Sequence, residues 1–310
     1  MSPSVEIPAE FLARGAAGGP MAAFLDGLPR LLRELLEDWR LTPDGPARHG
    51  QAALAVPVRT TAGRPAVLKL TMPHEEAEHE HLALQTWHGN GAVQLLRADP
   101  RRWALLLERL HAEEDLGELW DVEACELVAG FYPRLHVPAL PQLRRLSSLV
   151  ERWTERLAAL PADAPVPRRL VEQAVSLGRS FVRDPDTDSR TIHGDLHYAN
   201  VLAGDREPWL VIDPKPVAGD PHYEVAPLLW NRWDEVVASG NVRDAVRRRF
   251  HAVVDAALLD EERARDWVVV RELHNVLWTI EDAGRENRVL DAADREWVTT
   301  AVAVAKAVQG

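Results

Sequence analysis

The sequence predicts an α+β fold in which a β-rich first part precedes a larger, mostly helical second part. Short apolar segments separated by turn residues fill residues 51–109, as in an antiparallel sheet. Beyond residue 116, apolar residues recur mainly at helical spacing. The chain has 310 residues, of which 46% are hydrophobic, and this is enough for one large domain or two lobes.

The first part is predicted to contain two helices and one sheet. Leucines at helical spacing indicate a helix over about residues 21–40, and a second helix is predicted over about 75–87. The strands predict a five-stranded antiparallel sheet with one helix inserted after the third strand. Four of its strands are placed at residues 51–59, 65–70, 93–97 and 103–109.

The second part is predicted to be mainly helical, with the boundary between the parts near residues 110–114. This division gives a first lobe of residues 1–110 and a second lobe of residues 111–310. Helices of the second lobe are predicted at about 117–136, 143–160, 167–183, 222–238, 241–257, 260–283 and 291–308.

The most informative segment is residues 193–200, which read His-Gly-Asp-Leu-His-Tyr-Ala-Asn. A predicted hairpin follows over residues 201–212, and Asp213 comes directly after it. This hairpin is expected to bring Asn200 and Asp213 to the same end, where one ion could contact both.

This spacing of two Asp residues and one Asn is typical of phosphoryl transfer. There the first Asp accepts the hydroxyl proton, while the Asn and the second Asp hold metal that bridges the phosphates. Asp195 is therefore predicted to be the catalytic base, and Asn200 and Asp213 the magnesium ligands. Zinc held by His193, Asp195 and His197 is the alternative, but oxygen ligands favour magnesium.

These residues resemble the catalytic loop of the aminoglycoside phosphotransferase family. The stretch over residues 213–221 resembles the branch that holds the streptomycin 6-kinases and hydroxyurea phosphotransferases. The resemblance covers about residues 50–282. It implies a protein-kinase-like two-lobe fold, with a nucleotide-binding lobe over residues 1–110 and the catalytic loop and acceptor site in residues 111–310. It also implies ATP and magnesium.

The nucleotide side is predicted to centre on Lys69, which lies in the apolar strand at residues 65–70. A buried ammonium needs a polar partner, and in kinases the strand lysine contacts phosphates and pairs with a helix Glu. Glu80 is predicted to be that partner, with Glu76 as the alternative on the same helix face.

Residues 105–110 look like a kinase hinge, so Glu108 and Leu110 are predicted to lie at the nucleotide. The loop that would cover the phosphates has only Gly50. It therefore lacks the several glycines through which backbone amides approach phosphates closely, and GTP remains a possible donor.

The acceptor is predicted to bind in the second lobe, where tryptophans occur beside polar and acidic residues. A tryptophan face and a carboxylate suit a guanidinium or ammonium group through cation–π attraction and charge-assisted hydrogen bonds. Besides Asp195, the candidate acceptor residues are Trp230, Asn231, His274, Trp278, Glu281 and Asp282.

Composition narrows the partners. The formal net charge of −12 argues against nucleic acid and is compatible with a cationic small molecule. The chain has no apolar run of about 18 residues, so a membrane span is not expected. No signal peptide is evident either, so a cytoplasmic protein is expected. The single cysteine, Cys125, is expected to be a small buried residue.

The combined prediction is an ATP- and magnesium-dependent kinase of a hydroxyl group on an aminoglycoside, with streptomycin favoured by the resemblance. One alternative is a kinase of another small hydroxylated compound, such as hydroxyurea or an amino sugar. A second is a nucleotide-binding pseudokinase, which the set of Lys69, Asp195, Asn200 and Asp213 disfavours.

Overall fold

The structure is a computed structural model that describes residues 5–309. The chain divides into two compact units. The first unit runs up to Glu113 and also takes in Leu202–Lys215, whereas the second comprises Glu114–Val201 and continues from Pro216. The predicted division places residues 202–215 in the second lobe, but their contacts assign them to the first unit.

The first unit begins with two α-helices and continues with four strands, a third α-helix and further strands, whereas helices dominate the second unit. The strands are β1 (Thr42–Pro43), β2 (Arg48–His49), β3 (Ala53–Arg59), β4 (Pro65–Thr71), β5 (Leu95–Asp99), β6 (Ala104–Glu108), β7 (His111–Asp115), β8 (Arg144–Arg145), β9 (Arg190–Ile192), β10 (Val201–Ala203), β11 (Trp209–Val211) and β12 (Val217–Gly219). The helices are α1 (Ala9–Ala13), α2 (Gly19–Asp38), α3 (Glu80–Trp87), α4 (Asp121–Ala129), α5 (Tyr132–Leu135), α6 (Leu146–Ala158), α7 (Arg168–Arg183), α8 (Ala226–Trp230), α9 (Trp233–Ala238), α10 (Val242–Ala257), α11 (Glu261–Arg285) and α12 (Ala292–Ala307).

The main sheet of the first unit is antiparallel and has the order β1-β3-β4-β6-β5, with β2 also paired to β3. The predicted α+β class is confirmed, but the predicted count of five strands is wrong, because the sheet has six. Two of them, β1 and β2, contain two residues each. Such short strands cannot show the alternation from which a strand is predicted.

Alternating burial explains the packing of this sheet. Every second residue of β3 is buried, namely Leu54, Val56 and Val58, and helix α2 covers that core with a stripe of leucines at helical spacing that includes Leu28 and Leu35. Burial of these side chains stabilises the unit by about 25 cal/mol per Å² of apolar surface removed from water. The sheet therefore provides a fixed frame for residues on β4.

The second unit is built around α11, a helix of 25 residues that is buried continuously from Trp267 to Leu277. Trp267 stacks on Phe181 of α7 with ring centroids 3.8 Å apart. A small sheet of β8, β12 and β9 lies in the same unit. None of the helices within residues 5–309 combines the length and the apolar character that crossing a membrane requires.

The helix predicted over residues 222–238 is interrupted at Arg232. The backbone of Arg232 is left-handed, with φ of 48°, which separates α8 from α9. Its guanidinium donates to the carbonyls of Gly117 and Leu119 at 2.7 and 2.6 Å. These hydrogen bonds join segments far apart in the chain, so local periodicity could not reveal the break.

Candidate active site

Lys69 is the centre of a buried ionic cluster in the first unit. It lies in the middle of β4 between two buried leucines, and its side chain is packed inside the fold with 8% of the residue exposed. The ammonium donates to Glu80 Oε1 at 2.6 Å and also to Asp213 Oδ1. The structure thus joins three of the predicted site residues, and it pairs Lys69 with Glu80 at the start of α3.

Burial and charge oppose one another in this cluster. Burial disfavours the charged ammonium, but the negative charges of Glu80 and Asp213 outweigh it and raise the pKa of Lys69 above its usual value. Burial also raises the pKa of Glu80 to about 7, although the ammonium of Lys69 favours the ionised carboxylate. Lys69 therefore stays cationic throughout the physiological pH range.

Asp213 is the more accessible carboxylate of the cluster. It follows β11 closely, its side chain is 47% exposed, and its backbone is left-handed with φ of 56°. Asp tolerates this region better than most residues because its side chain is short. Residues held in such sparsely populated conformations cluster at functional sites, so the backbone geometry marks Asp213 independently of the sequence motif.

The predicted hinge residues lie at the end of β6. The carboxylate of Glu108 accepts from the Gln94 amide at 2.9 Å and from Arg206 at 2.8 Å. Leu110 packs beside Gly204, where an added Cβ would come within 3.0 Å of its side chain. Glu108 and Leu110 are thus fixed by neighbours within the first unit, and their place at a nucleotide stays a prediction.

The catalytic-loop motif begins where β9 ends and belongs to the second unit. The imidazole of His193 is buried, and its Nδ1 accepts from the Asp195 amide at 3.2 Å. The Asn200 amide nitrogen donates to the Asp195 carbonyl at 2.8 Å. These two contacts close the loop upon itself and fix the backbone of the predicted base.

Two buried side chains outside the motif hold the peptide groups of Gly194. This glycine has φ of 84°, a left-handed conformation that side chains disfavour. Its amide donates to Glu224 Oε1 at 2.7 Å, and its carbonyl accepts from Arg271 Nη2 at 3.1 Å. The other oxygen of Glu224 bonds to His136 Nε2 at 2.6 Å. Sequence reasoning missed Glu224, Arg271 and His136.

Glu224 is fully buried, so its charge needs compensation. Burial opposes ionisation of the carboxyl group, but the hydrogen bond and charge of His136 outweigh burial and lower the pKa of Glu224. The amide of Gly194 adds a further stabilising hydrogen bond. The carboxylate is therefore ionised at neutral pH and can hold the loop through charge-assisted hydrogen bonds.

A second anchor lies near the end of the motif, at Tyr198. Its amide donates to Asn231 Oδ1 at 2.9 Å, and its hydroxyl lies 3.0 Å from the Cys125 sulfur and donates to the Asp121 carbonyl at 3.3 Å. Asn231, predicted as an acceptor residue, thus holds the loop here. Burial raises the pKa of Cys125 to about 11, which fits a small buried residue.

The remaining acceptor candidates differ in their burial and in their contacts with other side chains. His274 is fully enclosed, and burial lowers its pKa to about 3. Trp278 is half-buried and packs edge-on against Trp153, with centroids 4.9 Å apart. The guanidinium of Arg271 lies 5.8 Å from the centre of the Trp230 ring.

The two acidic candidates on α11 both have arginine partners. Glu281 accepts from Arg156 Nε at 2.6 Å, and a second hydrogen bond makes the pair bidentate. Asp282 is exposed and pairs with Arg285. A cationic ligand at this face would therefore meet carboxylates that already hold guanidinium groups.

Comparison with known proteins decides the family. A family model described as "Aminoglycoside/hydroxyurea antibiotic resistance kinase" matches residues 38–283. The chain belongs to this family of resistance kinases. It is similar to a streptomycin 6-kinase of Streptomyces glaucescens, with 42% identity over 99% of this chain and 98% of the relative. It is also 42% identical to a hydroxyurea phosphotransferase of Kitasatospora aureofaciens, over 90% and 81% of the two chains.

The fold of the family is also found among solved structures. A thermostable mutant of aminoglycoside phosphotransferase APH(4)-Ia in its apo form matches with a TM-score of 0.54 and 15% identity, covering 90% of this chain and 99% of that chain. This similarity confirms the predicted protein-kinase-like fold. Membership of the resistance kinase family makes the chain a small-molecule phosphotransferase.

A kinase of this family implies a nucleoside triphosphate and a divalent metal ion, and each unit offers one predicted ligand of a suitable kind. The hydrogen bond from Asn200 to the Asp195 carbonyl uses the amide nitrogen, which leaves the amide oxygen as a ligand. Asp213 offers a partly exposed carboxylate. Hard divalent cations prefer oxygen ligands of these two kinds.

Proposed function

We propose that this kinase transfers the γ-phosphoryl group of ATP, with magnesium, to a hydroxyl group of an aminoglycoside, and that streptomycin is its acceptor. The observation that carries the proposal is that buried groups hold the backbone of the predicted catalytic loop. The backbone around Asp195 is held by buried groups at Gly194 and Tyr198, as a positioned base requires. The similarity to a streptomycin 6-kinase supports the choice of acceptor.

In the proposed reaction, Asp195 orients the acceptor hydroxyl and takes its proton. The hydroxyl oxygen forms a bond to the γ-phosphorus while the bond from that phosphorus to the ADP oxygen breaks. Lys69 provides a fixed positive charge for the phosphates, and Glu80 keeps its ammonium in place. Asn200 and Asp213 would hold the magnesium ion, which neutralises charge on the phosphate oxygens when bound.

The acceptor is proposed to bind along one face of α11. His274, Trp278 and Glu281 follow one another at spacings of four and three residues, so they share a face of the helix. Because His274 is enclosed, direct contact with the acceptor is assigned to Trp278, Glu281 and Asp282. A guanidinium group of the acceptor would exchange with Arg156 or Arg285 at these carboxylates.

A kinase of hydroxyurea is the second candidate, favoured by the hydroxyurea phosphotransferase that matches most of this chain. The two candidates differ in the charge of the acceptor. A neutral acceptor could only donate hydrogen bonds to the carboxylates of α11, whereas a cationic aminoglycoside would add charge–charge attraction.

The test is a transfer assay on the purified protein with magnesium and either ATP or GTP. The panel contains streptomycin, other aminoglycosides, hydroxyurea and neutral hydroxyl compounds, and the readout is a mass gain of one phosphate. Streptomycin is expected to be phosphorylated by the parent and not by Asp195→Ala. Preference for hydroxyurea would replace the proposal by the second candidate. A protein with neither transfer nor nucleotide hydrolysis would be a pseudokinase, and the proposal would be wrong.

A further inference from the structure

Arg271 links the longest helix of the second unit to the catalytic loop. Its Nη2 donates to the Gly194 carbonyl and its Nη1 to the Tyr223 carbonyl, both at 3.1 Å. The guanidinium also lies over the Tyr223 ring, 4.2 Å from its centre. The planar fork of an arginine can bridge two carbonyls in this way, whereas a lysine ammonium is a point charge.

Packing alone does not explain an arginine at this position. Arg271 is 6% exposed, and among residues 5–309 no carboxylate lies within ion-pair distance of it, while its Nε has no hydrogen-bond partner there. Burying an unpaired cation is costly, and an apolar side chain of similar size is often at least as stable. The cost is offset only in part by the two carbonyls and the ring.

The position of Arg271 on α11 relates it to the proposed acceptor face. Trp278 lies seven residues further along the same helix, which corresponds to about 10 Å along the axis and nearly the same face. One rigid helix thus carries a contact to the residue before Asp195 at one point and candidate acceptor residues two turns later. This contact therefore links the proposed base directly to the helix that carries the proposed acceptor face.

We infer that Arg271 is a positioning residue for Asp195, an inference that rests on the proposed function. Its guanidinium fixes the Gly194 carbonyl to α11, while Glu224 fixes the Gly194 amide from the other side. The peptide before Asp195 cannot then rotate without breaking a charged hydrogen bond. In this role Arg271 acts through the loop and not by its own contact with substrate or phosphate.

The test compares Arg271→Lys and Arg271→Gln with Arg265→Lys. Arg265 is a matched control, because it lies on the same helix and also donates to a carbonyl, that of Val308, at 2.6 Å. A displacement of about 1 Å at the base can lower the rate by about 100-fold. We expect kcat for phosphate transfer to fall by about that factor in both Arg271 variants, and to stay within about twofold of the parent in Arg265→Lys.

Calorimetric titration with ATP separates positioning from loss of folded protein. Expected values for the Arg271 variants are an unchanged number of nucleotide sites per chain and an ATP KM close to the parent. A kcat within twofold of the parent in Arg271→Lys would overturn the inference, as would a fall in kcat fully accounted for by lost nucleotide sites. If neither variant folds, Tyr223→Leu removes the ring beneath the guanidinium, and an unchanged kcat there would also overturn it.

The parent protein distinguishes this inference from the proposed function. If the parent transfers phosphate to no acceptor in the panel, the proposed function is wrong. If the parent transfers phosphate and Arg271→Lys does so equally well, only the role of Arg271 is wrong.

Discussion

The candidate residues of the two units are held in different ways. In the first unit, the side chains of Glu80 and Asp213 both accept hydrogen bonds from the Lys69 ammonium. In the second unit, the loop with Asp195 is held by its backbone, through side chains that lie outside the motif. The first arrangement fixes the positions of charges, and the second fixes the backbone that carries the proposed base. Changes of sequence should therefore affect charge and affinity in one unit, and geometry and rate in the other.

The largest expected effect is a loss of rate without a loss of ATP binding when Asp195 of the second unit is changed. Asp195→Ala should lower kcat by about 10²–10⁴, the range typical of a lost general base, while ATP binding stays close to the parent. The measurement is single-turnover transfer together with calorimetric titration of ATP. A near-normal kcat would show that Asp195 is not the base, and a matching loss of ATP affinity would show that the two roles are not separate.

Loss of a proposed metal ligand should act on the magnesium requirement. Removing a hydrogen bond or ligand to a charged group costs about 1.5–3 kcal/mol, or about tenfold to 100-fold in affinity. Asp213→Ala should raise the magnesium concentration for half-maximal rate more than Asn200→Ala, because a carboxylate supplies charge and an amide only a dipole.

The control for this experiment is Asp205→Ala. Asp205 is exposed, precedes the strand β11 that Asp213 follows, and pairs with His111. Its magnesium titration should overlay the parent. If the titrations of Asp213→Ala and Asn200→Ala also overlay the parent, these residues do not hold the ion.

A measurement of stability against pH tests a buried carboxylate that lies outside the candidate residues of both units. Asp220 is buried and accepts from Trp267 at 2.7 Å and Arg263 at 2.6 Å. Burial opposes its ionisation, but hydrogen bonds from His222 and the charge of Arg263 lower the pKa of Asp220. A lowered pKa in the folded state means that its contribution is complete above about pH 4 and is lost as pH falls through the lowered value.

Asp220→Asn should accordingly lower the free energy of unfolding at pH 7 by about 1–3 kcal/mol, the typical cost of disturbing a buried charged hydrogen bond. The difference from the parent should shrink as pH falls below 4. Denaturant unfolding across this pH range measures it, with the exposed Asp234→Asn as control. An equal difference at all pH values would contradict the ionised state of Asp220.

The smallest expected effect concerns the acceptor face of α11. Glu281→Gln combined with Asp282→Asn should raise the KM for a cationic acceptor by about two- to fivefold, because partly exposed ion pairs contribute about 1 kcal/mol or less. The KM for ATP should not change. The control pair is Glu261→Gln with Glu262→Gln at the other end of the helix. An unchanged acceptor KM would show that neither carboxylate contributes to acceptor binding.

The sequence predicted what depends on local spacing. The α+β class, the long helices and the motif residues from Asp195 to Asp213 follow from periodicity and short-range patterns. The strands β1 and β2 did not, because two residues carry no alternation. Nor did the interruption at Arg232, which depends on carbonyls more than 100 residues away.

Partners distant in the chain explain the rest of the site. Glu224 and Arg271 lie 30 and 77 residues from Gly194 in the sequence. Neither occurs in a sequence motif that predicts a contact with the loop at residues 193–200. Glu281 suggested an open carboxylate, but Arg156 lies 125 residues away in sequence and pairs with it. A residue type indicates what chemistry is available, whereas only the fold decides whether that chemistry is already engaged.

If Asp213 holds the metal as proposed, Lys69 and the metal share one carboxylate, and this has a consequence for the binding of ligands. A cation that binds Asp213 competes with the Lys69 ammonium, and a phosphate that binds Lys69 competes with Asp213. Binding of the cation alone takes one of two carboxylate partners from Lys69, which keeps Glu80, and binding of the phosphate alone weakens the contact between Lys69 and Asp213. Binding of both gives Lys69 and Asp213 each a new opposite charge. We therefore expect magnesium and nucleotide to bind cooperatively, each raising the affinity for the other by the same factor.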